Sequence, residues 1–252
     1  MASWMMHFRV ADALLQTVGW ETIPDAAAVA FVLGNVAPDS GVPTADGKGY
    51  LPNKNTSHFM RRFEGVPAGQ NPERCDPSLF AREWLIPSLE GDDPVAAAFY
   101  GGYLCHLVTD NGWVRDFIYP AKETLSHLRT VDGVETPEGV ARFYAFLKRE
   151  WYDADFLYVR EHPDLPAYRL FLEAPPFRNT YLPFFPPHAF QQKRDEIREF
   201  YRRGAAEVAA RETYVTPRET EAFVRRVEKE ILEEFGDLLS AIGARFSVPF
   251  PS

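Results

Sequence analysis

The sequence predicts an all-α fold, a multi-helix bundle, on three observations. Four sites place a capping residue directly before a proline: Asp76-Pro77, Asp93-Pro94, Thr136-Pro137 and Thr216-Pro217. Proline suits the first helical position, where its missing N–H has no partner to lose, and the Asp or Thr side chain accepts from the next turn. Apolar residues then recur at three-and-four spacing, as in Phe223, Val227, Ile231, Phe235, Leu238 and Leu239, the period of a helix with one buried face. The alternation of a half-buried strand is not found.

In chain order, helices are expected near residues 4–19, 24–36, 76–90, 94–119, 137–151, 187–211 and 217–244. Thr216 and Glu219 match a capping box at the start of the last one. Two segments resist helix assignment: 37–75, rich in Pro, Gly and Asn, and 160–187, with Ala-Pro-Pro-Phe and Phe-Phe-Pro-Pro. Loops this long tend to be functional, and the aromatic 160–187 segment either lines a substrate cleft or packs into the core. Residues 1–186 are read as the main helical domain. Residues 187–252 are read as a C-terminal helical hairpin packed on it, appended or part of the same domain.

At 252 residues the chain can bury a sizeable core. Its net charge of −9 argues against a general nucleic-acid binder, which carries a basic patch or stripe. It leaves a metal-dependent phosphodiesterase open, because bound cations reverse the local field. Cys75 and Cys105, too few for a disulfide framework, are read as free thiols. The opening segment lacks a basic n-region and is interrupted by His7, Arg9 and Asp12, so it is not read as a signal peptide. With no apolar run of about 18 residues to span a membrane, the expectation is a cytoplasmic protein.

The chemistry concentrates in histidines and carboxylates. His106 and Asp110 lie four apart in an apolar stretch containing Gly101-Gly102, so they share a helix face. There an ionised Asp is costly unless paired or metal-bound, and zinc accepts imidazole and carboxylate together. A His–Asp hydrogen bond inside a core is the plainer reading. The glycine pair makes most sense where another backbone approaches closely. Upstream, Asp39 follows Pro38 at the end of an apolar helix, where an Asx-turn would also explain it. His58 sits in a polar loop and His7 near the start of the first helix.

Taken together, the N-terminal His, the Gly-x-x-Ala-Pro-Asp turn, the Lys-x-x-x-His-Phe loop and the Gly-Tyr-Leu-x-His-Leu-x-x-Asp helix come in one order. In that order they resemble the zinc-dependent phospholipase C family, whose wider fold group includes the S1/P1-type nucleases; the resemblance covers about residues 1–120. It implies a cluster of one or two zinc ions between core helices. Asp39, His58, His106 and Asp110 would hold the first. A neighbouring ion would share Asp110 and take His7, while Trp4 could supply its family ligands only if the first three residues were removed. Asp39 would also be the catalytic carboxylate that orients or deprotonates water. The implied activity is hydrolysis of a small phosphodiester or a phospholipid.

A third family ion takes a His six residues beyond the helix Asp, then a His-x-x-x-Glu pair. Here Asp116 occupies the first slot and no such pair follows. Either that site is lost, or Asp116 joins a carboxylate such as Asp153 in an oxygen-rich site suited to Mn²⁺, Mg²⁺ or Ca²⁺. No Gly-x-Ser-x-Gly elbow is present, and the His-Asp dipeptide of an HD-type phosphohydrolase is missing. The alternative from another class is a non-catalytic helical protein with a structural zinc. His127, His162, His188 and the Arg194–Arg203 stretch are read as solvated or capping residues.

Overall fold

Each of the four proline-marked starts caps a helix in the computed structural model, which describes residues 1–18, 25–67, 70–132 and 136–246. Asp76 accepts from the Leu79 N–H and opens α4 (Pro77–Phe80). Asp93 accepts from Val95 and Ala96 and opens α6 (Pro94–Trp113). Thr136 opens α8 (Pro137–Glu161), and Thr216, in a complete capping box with Glu219, opens α11 (Pro217–Ala244). The other long helices are α1 (Trp4–Thr17), α2 (Asp25–Gly34), α7 (Tyr119–Asp132) and α10 (Ala189–Glu207). The all-α expectation holds. No helix among the described residues is long and apolar enough to cross a membrane.

Helix α6 is the axis of the fold. Nearly all its side chains are buried, as suits a helix that is apolar on every side, and α1, α2 and α11 pack around it. The crossing with α2 is very close. A Cβ on Gly102 would lie 1.9 Å from the Phe31 carbonyl oxygen, and one on Gly34 would lie 2.1 Å from that of Phe99. Gly102 therefore serves the backbone approach expected of it. Gly101 instead faces the Ile242 and Leu239 side chains of α11.

Two helices run through a proline, and the one expected to end near 119 continues to Asp132. The 76–90 helix is α4, a π turn over Ala81–Leu85, and α5 (Ile86–Glu90); α6 likewise continues through a π turn over Val114–Ile118 into α7. Each π turn ends two residues before a proline, Pro87 or Pro120. Proline cannot donate to the fourth carbonyl back, and a widened turn lets the helix pass without breaking.

The two expected loops are partly structured. Segment 37–75 holds a 3₁₀ turn (Ala37–Asp39) and the short helix α3 (Lys54–Ser57). It also holds two antiparallel pairs, β1 (Val42–Pro43) with β2 (Tyr50–Leu51) and β3 (Met60–Arg62) with β4 (Glu73–Cys75). Segment 160–187 contains α9 (Pro166–Glu173). Its local cap is Leu165, which has no acceptor side chain, and the Ala167 N–H is met instead by Asp12 Oδ1 at 3.1 Å. A cap from 155 residues away leaves no local signal. Phe177 stacks on Phe99, Tyr181 meets Phe99 at a tilt, and Phe184 meets Trp84 edge to face, so these partly buried rings pack against the core.

Beyond residue 187, α10 packs on α8, and α11 packs on α6 and α1. Tyr201 of α10 accepts from the Met5 N–H at 2.8 Å and donates to Asp155 Oδ2 at 3.1 Å, tying α10 to α1 and α8. The Arg194–Arg203 stretch is not wholly solvated. Arg194 is buried and donates to the Leu172 and Pro175 carbonyls at the end of α9.

Gly102→Ala is expected to cost about 3 kcal/mol, because the added methyl meets backbone that cannot turn aside. Gly236→Ala, where a Cβ meets nothing within 4 Å, is expected to stabilise by about 0.5–1 kcal/mol through helix propensity. Urea denaturation of both variants checks the pair; equal effects would rule out the close crossing.

Burial raises Asp155 to about 7 against the pull of Tyr201 and Arg9. Between its ordinary 3.8 and about 7 the folded protein holds a proton that the unfolded chain has released. Its contribution is thus full below about pH 4 and is lost as pH rises through 7. The stability difference between wild type and Asp155→Asn, followed by denaturation across pH 5–8, is expected to shift toward the variant as pH rises.

Candidate metal centre

Five residues expected to form the site converge beside the α2–α6 crossing. Helix α6 supplies His106 and Asp110 from one face, α1 supplies His7 from its first two turns, the 3₁₀ turn after α2 supplies Asp39, and His58 caps the C-terminus of α3. Phe59, next to His58, takes a left-handed φ of 50°. Its ring is held among Phe80, Tyr103 and Phe184, which over-determines that turn.

The spacing of the donor atoms is informative. His58 Nε2 lies 3.4 Å from Asp39 Oδ1, 3.5 Å from Asp110 Oδ2 and 3.4 Å from His106 Nε2. His106 Nε2 lies 3.8 Å from Asp110 Oδ2, and His7 Nε2 lies 3.7 Å from Asp110 Oδ1. Charge-assisted hydrogen bonds would be near 2.7–2.9 Å. Ligands on a tetrahedral ion with bonds of about 2.0–2.1 Å stand about 3.3–3.4 Å apart. These separations are too long for good hydrogen bonds and close to the edges of a metal tetrahedron.

The imidazoles are prepared for that role. His106 Nδ1 sits 2.8 Å from the Asn35 carbonyl, so the proton belongs on Nδ1 and the Nε2 lone pair faces the cluster, the outer-shell arrangement of metal-bound histidines. Burial, then His7, pushes His106 down to about 3, which keeps it neutral. His58 Nδ1 pairs with Ser57 Oγ at 2.9 Å, and the Ser57 carbonyl accepts from the Tyr103 hydroxyl. His7 is wholly buried with neither ring nitrogen hydrogen-bonded, and its ring stacks on His106 at 3.9 Å. An unpartnered buried imidazole is costly, and an ion would satisfy it.

The carboxylates are held charged. Burial raises both, but the histidines around Asp39 and Asp110, and the N-terminal amino group near Asp110, reverse this and hold both well below the usual carboxylate range. Trp4 donates its indole N–H to Asp39 Oδ2 at 2.9 Å, and the Ala2 N–H donates to Asp110 Oδ1 at 2.8 Å. Trp4 thus reaches the centre through its side chain. That indole, the Asn35 carbonyl and Ser57 were not legible as site residues; Trp4, three before His7, carried the nearest signal.

Asp116 is not brought to the cluster. It accepts from Arg115 at 2.8 Å and from Arg226 at 2.7 Å, and the π turn that carries it points it toward α11. Asp153 likewise pairs with Arg211 at 2.6 Å. The proposed oxygen-rich site does not assemble from these two. Among the described residues, the groups spaced to share an ion are His7 with Asp39 and His106, and His58 with His106 and Asp110. Cys75 and Cys105 are buried free thiols raised by burial, the opposite of an activated nucleophile.

On one side the cluster opens. Asp39 and His58 line a cleft of 570 Å³ whose other walls include Trp4, Trp151, Tyr152 and the lysines Lys54, Lys148 and Lys193. Segment 160–187 takes no part in it. The chain matches no protein-family model, no curated protein and no solved structure.

His106→Ala is expected to remove most bound metal, His7→Ala to leave about one ion per chain, and Asp116→Ala to leave metal content unchanged. Elemental analysis of the purified variants checks all three; equal loss from the two histidine variants would place His7 in the main site.

Proposed function

We propose that the protein is a metal-dependent hydrolase of phosphate esters, of the phosphodiester or phospholipid class, with zinc held by His7, Asp39, His58, His106 and Asp110. The observation that carries this reading is a ligand-spaced cluster with an open side: Asp39 and His58 face a cleft that also holds lysines. The ordered motifs that resemble those of zinc-dependent phospholipases C support it. When bound, a divalent ion there supplies Lewis acidity, lowering the pKa of water and stabilising charge on a phosphoryl oxygen.

The chain's own residues do the rest. Asp39 is ionised, anchored by Trp4 and partly open to the cleft, so it can orient an attacking water and take its proton. Lysines on the cleft wall attract the anionic ester, and Trp151 and Tyr152 offer apolar surface to its organic part. His7, His106 and Asp110 lie deeper and hold the geometry.

The second reading, a structural zinc in a non-catalytic protein, is favoured by the four-residue set of Asp39, His58, His106 and Asp110, since closed four-ligand sites are structural. Purified protein is expected to contain at least about one zinc per chain and to hydrolyse bis(p-nitrophenyl) phosphate, with activity abolished by chelator and restored by Zn²⁺. Asp39→Asn is expected to lose about a hundredfold or more in rate. Zinc-loaded protein inert toward a panel of phosphate esters would decide for the structural reading; metal-free, fully folded protein indifferent to added Zn²⁺ would overturn both.

A further inference from the structure

The lysines of the cleft are set against the charge of the rest of the chain. The protein carries a net −9, yet three lysines line the cleft that Asp39 and His58 face. Lys193 is neutralised by Glu196 at 2.6 Å and lies over the Trp4 ring. Neither Lys54 nor Lys148 has an ion-pair partner among the described residues. Lys54 begins α3, four residues before His58, and its carbonyl accepts from the His58 N–H at 2.9 Å. Lys148 stands on α8, one turn before Tyr152, whose ring it covers at 5.5 Å. The two charges thus come from separate elements that share one cleft.

A charge count gives them a task. One divalent cation would cancel the carboxylates of Asp39 and Asp110 and leave that centre without net charge. Net attraction for an anion then comes from Lys54 and Lys148, with the Met1 amino group nearby, and a second ion would only add to it. The carboxylates lining the cleft, Asp39 and Glu196, are already engaged by Trp4 and His58 and by Lys193. Beside the Met1 amino group, which lies near Asp110, the cleft therefore presents two lysine charges that no carboxylate among the described residues pairs.

The geometry points to Lys54 and Lys148 as specificity-determining residues that select phosphate esters carrying at least two negative charges, a phosphate monoester group included, over singly charged diesters. This rests on the metal-dependent reading of the same site. A monoanionic diester satisfies one of the two lysines, whereas a dianion satisfies both, and each lysine holds its share as a point charge with three donors.

Isothermal titration of zinc-loaded protein at about pH 8, where a phosphate monoester is dianionic, tests it with inorganic phosphate and dimethyl phosphate as probes. Phosphate is expected to bind about tenfold more tightly than dimethyl phosphate. Lys54→Met and Lys148→Met should each weaken phosphate about fivefold to tenfold and dimethyl phosphate much less, and the Lys→Arg variants should retain binding. Equal affinity for the two probes, no phosphate binding, or lysine variants that bind as wild type would overturn the inference. Metal content and chelator treatment of the same samples report on the metal reading separately. Phosphate binding that needs the lysines yet survives chelation would overturn the metal-dependent reading, and with it the charge balance on which this inference rests.

Discussion

The contact on which the rest depends is the crossing of α2 and α6, where Gly34 and Gly102 let two backbones meet with no side chain between them. Any Cβ there would collide with a carbonyl, so the helices would have to separate. Their proximity fixes the chemistry. It puts the Asn35 carbonyl 2.8 Å from His106 Nδ1, choosing the tautomer that turns Nε2 inward. It also aims the chain leaving α2 back across α6, so that the 3₁₀ turn delivers Asp39 to the face that carries His106 and Asp110. A packing constraint thus sets the shape of an electrostatic site.

That site is a concentration of polar groups the fold would not otherwise tolerate. Three imidazoles and two carboxylates share a largely buried pocket, and desolvation opposes their charge. The carboxylates remain ionised because the histidines surround them. Both nitrogens of His7 remain without a hydrogen bond. Groups buried without partners usually mark a role that stability alone does not explain. An ion would turn these costs into ligand bonds, which couples metal binding to folding.

The outer surroundings divide the labour. Trp4, Ser57 and Asn35 hold Asp39, His58 and His106 in orientation, and Tyr103 in turn holds Ser57. Just past the cluster, Asp116 is committed to Arg115 and Arg226, which ties the π turn to α11. Asp110 and Asp116 are six residues apart on one continuous helix, yet they face different partners. Helical geometry separates them, and the nearby arginines decide the second.

The sequence by itself determined the helices that announce themselves locally. Asp or Thr before proline supplies a cap within three residues, and the apolar period then needs no knowledge of the partner. It also determined the pairing of His106 with Asp110, because four residues on a helix always share a face. Only the tertiary structure could decide the remainder. Helix α9 is capped by Asp12 from across the fold, and Asp116 went to arginines, one of them 110 residues distant. The cleft drew Lys54, Lys148 and Lys193 from three separate elements. The physical reason is common to all three: local pattern fixes backbone conformation and facing, whereas a buried charge or an orphan N–H takes whichever partner the packing brings within reach.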